Sequence, residues 1–347
     1  FGSSHSGSSS RPPRRARGFP AIGGRASRRN RRVRAPCASP GWPQQLLLGR
    51  GGMAGEGVTS TIAVIVSFVV MIVLNGLAAA GVFGEGIGKI SDENPTYVTP
   101  DGVTFAVWGL IYTLQTGLVF AQSCCAADNE SLLSQKCPLT GLSVRWRIAL
   151  AFVLNGVWLP TYTSFRFTLA LIIIIAYLGV LISICTDLNP KTVSNSCQLL
   201  MLAAPISTNA SWILVATSAN LFTVVGTFGY KDEYGVAGSP AAAIAVVILV
   251  IGMASVTAFF QHDASWAGVA AWALAGIYRM QTIPDPEAFP VAAMNPTLAR
   301  VAGLGSVAIA VAAVCALGLW CYSQNKARTP AHELLDPLPQ SGQIHFK

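Results

Sequence analysis

The hydrophobic positions of this chain gather into long runs, and its polar positions collect between them. Eight apolar stretches, at residues 58–83, 102–122, 148–164, 167–185, 199–227, 240–260, 264–278 and 301–322, read as helices. Most have the length needed to cross ~30 Å of hydrocarbon. The seventh is short, and only Gln261-His262-Asp263 separates it from the sixth, which predicts a tight helical hairpin or a re-entrant pair. The expected fold class is all-α, a polytopic membrane helical bundle of about eight transmembrane helices, with seven as the alternative count.

Helices two to five concentrate Trp, Asn, Pro and Phe, whereas six to eight are dominated by Ala, Val and Gly. This shift predicts a five-helix membrane body over 53–230, a three-helix membrane extension over 231–323 and a polar tail over 324–347. The linkers are too short to separate the first two. In helix seven Ala267, Ala271 and Ala275 recur every fourth position, a close-packing face for a neighbouring helix.

Composition agrees with the pattern. Only 11% of the 347 residues are charged, 52% are hydrophobic and the mean hydropathy is +0.52, which excludes an ordinary water-soluble domain. The formal charge of +8 is unevenly spread: residues 1–52 hold 11 Arg and no acid, leaving 12 basic and 15 acidic residues beyond them. A basic segment of this kind can be a nucleic-acid arm, a lipid tether or a targeting leader. Its Ser, Arg, Gly and Pro content without acids favours a transit-type leader, and hence a plastid or mitochondrial membrane, with no nucleic-acid partner. The alternative reading takes Met53 as the natural start. Lys and Arg beyond residue 52 divide seven to five in favour of termini on the cytosolic or stromal side. A glycan on the sequon Asn129-Glu130-Ser131 would contradict that topology.

Candidate chemistry is sparse. No Asp, Glu, Lys, Arg or His lies within the eight spans, which argues against an ion-driven pump and against acid–base catalysis at mid-membrane, though not against a facilitative carrier. Residues 84–91 superficially resemble a phosphate-binding loop, but the spacing is wrong and Ile90 replaces the hydroxyl residue, so a flexible turn is expected. His262 is read as a solvated interface residue rather than a haem or chlorophyll ligand. The eight Cys follow no metal spacing; a Cys124/Cys137 bridge is conceivable, and otherwise the thiols are idle or packed. No nucleophile is paired with a base, so no enzyme, resident cofactor or metal is expected.

What remains is a set of neutral polar and aromatic residues inside helices. Phe105, Trp108, Tyr112 and Gln115 follow helical spacing in helix two; Asn155 and Trp158 share a face in helix three, ahead of Pro160; Asn209, Ala216 and Asn220 align in helix five, with Trp212 on the flank. Interhelical hydrogen bonding, kinks at Pro160 and Pro205 and an interfacial aromatic belt could account for them as packing. Several aromatics on three helices favour instead an apolar pocket with flat walls, suited to a planar hydrophobic ligand.

The run from Gly88 to Tyr112, with Asn94-Pro95, Pro100-Asp101-Gly102 and Phe105-Ala106-Val107-Trp108, resembles the loop and second-helix motif of the tryptophan-rich sensory protein family, also called the translocator protein or peripheral-type benzodiazepine receptor family. Asn155-Gly156-Val157-Trp158 is similar to its Asn-x-x-Trp in helix three, and Trp212 with Asn220 keeps its helix-five spacing. The resemblance covers residues 84–227, less specifically 263–281, and leans towards the longer relatives. It implies a membrane bundle, often a homodimer, that binds porphyrins, and sterols in some animal members, and serves tetrapyrrole handling and stress responses. Carried over, Pro100, Phe105, Trp108, Tyr112, Asn155, Trp158, Trp212 and Asn220 would line or support the ligand pocket. The chain departs from short members at Tyr97-Val98-Thr99-Pro100, at Pro205-Ile206 and at Gly117. The function expected is an integral membrane small-molecule binder for a tetrapyrrole or similar flat hydrophobe, serving sensing or facilitated movement. The alternatives are a facilitative transporter of a neutral or amphipathic metabolite and a non-catalytic assembly subunit.

Overall fold

A computed structural model describes residues 45–328, a bundle of helices. Eight long helices build it: α1 (Gln45–Ala79), α2 (Val107–Cys124), α3 (Val144–Thr163), α4 (Phe167–Asp187), α5 (Ala204–Thr227), α6 (Pro240–Gln261), α7 (Ala264–Met280) and α8 (Pro296–Arg328). Among the described residues β-pairing is confined to isolated bridges, the longest-range of which joins Thr96 to Ala237. The protein is thus an integral, multi-pass membrane helical bundle. Its first helix begins upstream of the predicted residue 58 and its last continues beyond 322. The leader expected over 1–52 lies largely outside the described residues, as does most of the tail.

Six segments have the length and hydropathy of a membrane crossing: Glu56–Ala79, Gly102–Cys124, Phe167–Asp187, Ser196–Thr227, Pro240–Gln261 and Pro296–Lys326. The two long helices that fall short are α3 and α7, on which the expected count of eight therefore depends. Both are more than half buried, 12 of the 20 residues of α3 and 10 of the 17 of α7, while Leu150, Val153 and Val157 of α3 and Trp272 of α7 remain exposed. A helix covered by protein over most of its surface need not be uniformly apolar, because its neighbours rather than lipid meet its polar groups. The outer helices differ. Val66, Val69 and Val73 on α1, Ile172 and Ile175 on α4, and Leu304, Val307, Val311 and Val314 on α8 are exposed, a belt that in water would be a severe liability and in a bilayer is the required surface.

The centre is occupied by α5, whose most apolar window is 72% buried, against 28–33% for the other crossings. Pro205 stands directly after a π-helical turn, Leu199–Ala203, within a helical segment that runs without a break over Ser196–Thr227, so the irregular turn accommodates its missing N–H. Pro160 does lie inside α3, and hydroxyls of Thr163 and Ser164 bond the Pro160 carbonyl in the last turn. One turn earlier, Gly156 lets α1 approach closely, since a Cβ there would stand 3.0 Å from the Met71 Cα. In α7, Ala267 and Ala271 are buried and Ala275 half-buried, and Ser306 of α8 donates to the Ala271 carbonyl at 2.8 Å.

Two ionic contacts fix the end of the bundle where α3 begins. Arg145 and Arg147 are almost fully buried, pairing with Glu130 at 2.7 Å and Asp187 at 2.5 Å. At the same end Asn129 is buried, its oxygen accepting from Gln198 at 3.1 Å, so the side chain of the sequon is already engaged within the fold. The Cys124/Cys137 bridge is not formed: the seven described cysteines are free thiols.

Candidate functional site

At the opposite end a cavity is enclosed by α2, α3, α5 and the segment joining α1 to α2. That segment is not the flexible turn expected. It contains a short helix, Ile87–Glu93, on which Lys89 pairs with Glu85 at 2.9 Å, and its Ile87 and Ser91 face the cavity. Thr99 and Pro100 follow as part of the wall, then Phe105 from a 3-10 turn, Gly102–Ala106, rather than from α2 itself. Trp108 enters from the first turn of α2, Trp158 and Tyr162 from α3, and Trp212, Ala216, Asn220 and Thr223 from α5.

The aromatic rings touch in sequence. Trp108 stacks on Trp158 at 6.1 Å between centroids and meets Trp212 edge-on at 6.3 Å. Phe105 meets Trp212 edge-on at 5.7 Å, and Trp158 tilts against Tyr162 at 5.8 Å. Such pairs fix ring orientation as well as burying area. The cavity among these side chains is only about 40 Å³, so the walls lie close together. Four buried polar atoms here have no hydrogen-bond partner: the indole N–H of Trp158 and of Trp212, and both amide atoms of Asn220. Burying such groups unpaired is costly, which makes them the chemically informative atoms of the wall.

Of the eight residues expected at a ligand site, six converge on this cavity: Pro100, Phe105, Trp108, Trp158, Trp212 and Asn220. Tyr112 and Asn155 do not line it. They stand one turn deeper on α2 and α3, where Tyr112 stacks beneath Trp108 at 5.5 Å. There Asn75 of α1 donates to the Tyr112 hydroxyl at 2.9 Å and to the Asn155 oxygen at 2.7 Å. The Tyr177 hydroxyl of α4 accepts from Asn155 at 3.0 Å and from Asn209 of α5 at 2.5 Å. Asn155 is therefore held by side chains of α1 and α4, not by the carbonyl that Pro160 leaves free. The three helical faces read from the sequence continue from an aromatic layer into this neutral polar layer.

Sequence reasoning missed Tyr162 and Thr223 in the wall and Asn75 and Tyr177 beneath it. A signal existed for each. Tyr162 stands one turn beyond Trp158, and Thr223 three residues beyond Asn220; Asn75 and Tyr177 are the isolated amide and phenol of two strongly apolar helices, which must find partners in the bundle.

Asp263, in the turn between α6 and α7, is 1% exposed. Its carboxylate accepts from the Ser207 hydroxyl at 2.5 Å and from the Trp266 backbone N–H at 2.9 Å, capping α7 and tying it to α5. Burial pushes this carboxyl above the ordinary Asp range, while the hydrogen bonds from Ser207, Trp266 and Ser265 oppose the shift. His262 beside it takes a left-handed backbone, φ 58°, and its imidazole is pushed down by burial and by Lys191. An ionisable group thus lies inside the bundle, but away from the aromatic cavity.

Among the described residues no group of His, Cys, Asp and Glu could hold a metal ion. In comparisons with known proteins, neither the curated proteins nor the solved structures yield a match. A family profile described as TSPO-like protein matches residues 61–315, further in both directions than the motifs at 84–227 reach and far enough to include α6, α7 and most of α8. With that match running through all eight long helices, the chain belongs to the TSPO-like protein family.

Proposed function

We propose that this protein binds a flat, largely hydrophobic small molecule, of which a tetrapyrrole is the leading candidate, between α2, α3 and α5, and that binding serves sensing or facilitated movement. Membership of the TSPO-like family supports the broader reading, small-molecule binding or transport in a membrane. The observation that carries the finer reading is the combination of three touching indoles with four unpartnered polar atoms in an otherwise apolar wall. Flat rings offer stacking to a planar ligand, the two indole N–H groups offer donors to its carboxylates or carbonyls, and Asn220 offers one donor and one acceptor. The cavity, about 40 Å³, is far smaller than ligand sites of about 300–1,000 Å³. A large ligand enters it by parting walls that are closed here.

The test is an equilibrium titration of the full chain with protoporphyrin, following tryptophan quenching and the ligand absorption band. Saturable binding is expected, weakened about threefold to tenfold by Trp158→Phe, which keeps a ring but loses the N–H, and more by Trp108→Ala. Absence of saturable binding by folded protein would overturn the tetrapyrrole reading. Solute flux into proteoliposomes distinguishes a carrier from a binder alone.

A further inference from the structure

The cavity wall formed by Pro100 and Phe105 does not support itself. From the turn that carries it, the Asp101 backbone N–H donates to the Gly276 carbonyl of α7 at 3.2 Å. The Arg279 Nε donates to one Asp101 carboxylate oxygen at 2.6 Å, while the Thr104 hydroxyl donates to the other. The Trp272 indole N–H donates to the Thr104 carbonyl at 2.9 Å. Trp272, Gly276 and Arg279 are four and three residues apart, so one face of α7 grips both ends of the turn. Gly276 makes the approach possible: a Cβ there would stand 2.1 Å from the Thr104 Oγ1 and 2.8 Å from the Pro100 Cβ. On its other side the segment is tied to the α5–α6 loop, where Ala237 donates to the Pro95 carbonyl at 2.9 Å and Tyr97 donates to Asp232. None of the three α7 residues lines the cavity.

We propose that Trp272, Gly276 and Arg279 are positioning residues for the cavity: from the extension helix α7 they hold the Pro100 and Phe105 wall against α5 and thereby set how readily the closed cavity admits a solute. The role in ligand exchange rests on the reading of the cavity as a binding site, but the hold on the wall does not, and it is read without a ligand. In the full chain reconstituted in liposomes, with the exposed cysteines replaced by Ser, Ala216→Cys places a thiol in the cavity, and its rate of modification by a small methanethiosulfonate reports access. Arg279→Ala, which breaks a half-exposed ion pair, is expected to raise that rate about twofold to fivefold. Trp272→Phe, which loses only the N–H, should act in the same direction, and Arg279→Lys should restore the original rate. Gly276→Ala should lower it, since the added carbon presses Thr104 and Pro100 towards the cavity. Unchanged rates in Arg279→Ala and Trp272→Phe, with folding intact, would overturn the proposal. Faster modification without saturable protoporphyrin binding would leave the positioning role standing and remove the ligand reading; saturable binding with unchanged modification would do the reverse.

Discussion

Tyr177 shows how much one atom can hold in this bundle. Its hydroxyl oxygen accepts from Asn155 and Asn209, joining α3, α4 and α5 at a depth where water is absent. Tyr177→Phe strands two amide donors together. Tyr112→Phe strands none completely, because the Asn75 amide keeps Asn155 as a partner. The cost of one unpaired buried donor is about 1–3 kcal/mol, whereas hydrogen bonds within membrane bundles average ~0.6 kcal/mol when alternatives exist. Tyr177→Phe should therefore destabilise by about 2 kcal/mol and Tyr112→Phe by less than half of that, measured by denaturant unfolding in detergent micelles. Equal effects would show that the polar layer does not depend on the shared acceptor.

At the scale of elements, α7 is the helix whose position depends most on a single charge. Asp263 caps its first turn and reaches Ser207 in α5, so the carboxyl serves both helix initiation and helix docking. Because burial raises its folded-state pKa above the ordinary value near ~3.9, the folded protein binds more protons than the unfolded chain between those two values. The sign follows: this group's contribution to stability is greatest below the unfolded value and declines as pH rises towards the folded one. Thermal unfolding followed from pH 4 upward should show that decline in the native chain. It should be flattened in Asp263→Asn, whose amide oxygen keeps the cap on Trp266 while its NH2 donates to the Ser207 oxygen, and which removes the titration. A slope that survives the substitution would assign it to another group. The same helix grips the cavity wall through Trp272 and Arg279, so its docking bears on the site as well as on the fold.

For the whole molecule, the six apolar crossings together with α3 and α7 give an even number of passes if those two helices both traverse. The start of α1 and the end of α8 then share a side with the loops after α2 and α4, and the cavity opens on the other. Cys124, Cys125 and Cys197 are exposed at the first of these ends. In sealed vesicles a membrane-impermeant maleimide should modify them from one side, and a cysteine introduced at Lys231 from the other. Modification of Cys197 from the side opposite to Cys124 and Cys125 would mean that α3 turns back within the membrane, leaving α4 as the one pass between them.

The membrane class and the approximate helices were legible without a structure, because apolar length and the absence of charge are local properties imposed by the bilayer itself. The faces carrying Trp108, Trp158, Trp212 and Asn220 were legible too, since helical periodicity alone places them. Partner choice was not. Whether Asn155 faces a ligand or Asn75 and Tyr177, and what the carboxyl of Asp263 meets, depend on which helices become neighbours. That neutral amides and indoles must find partners away from lipid follows from residue order alone, because an unpaired polar group in hydrocarbon is too costly to keep. Which of them pair with one another and which, like Trp158, Trp212 and Asn220, are left at a cavity follows from the folded bundle, because contacts between distant helices are set by how all of them pack together.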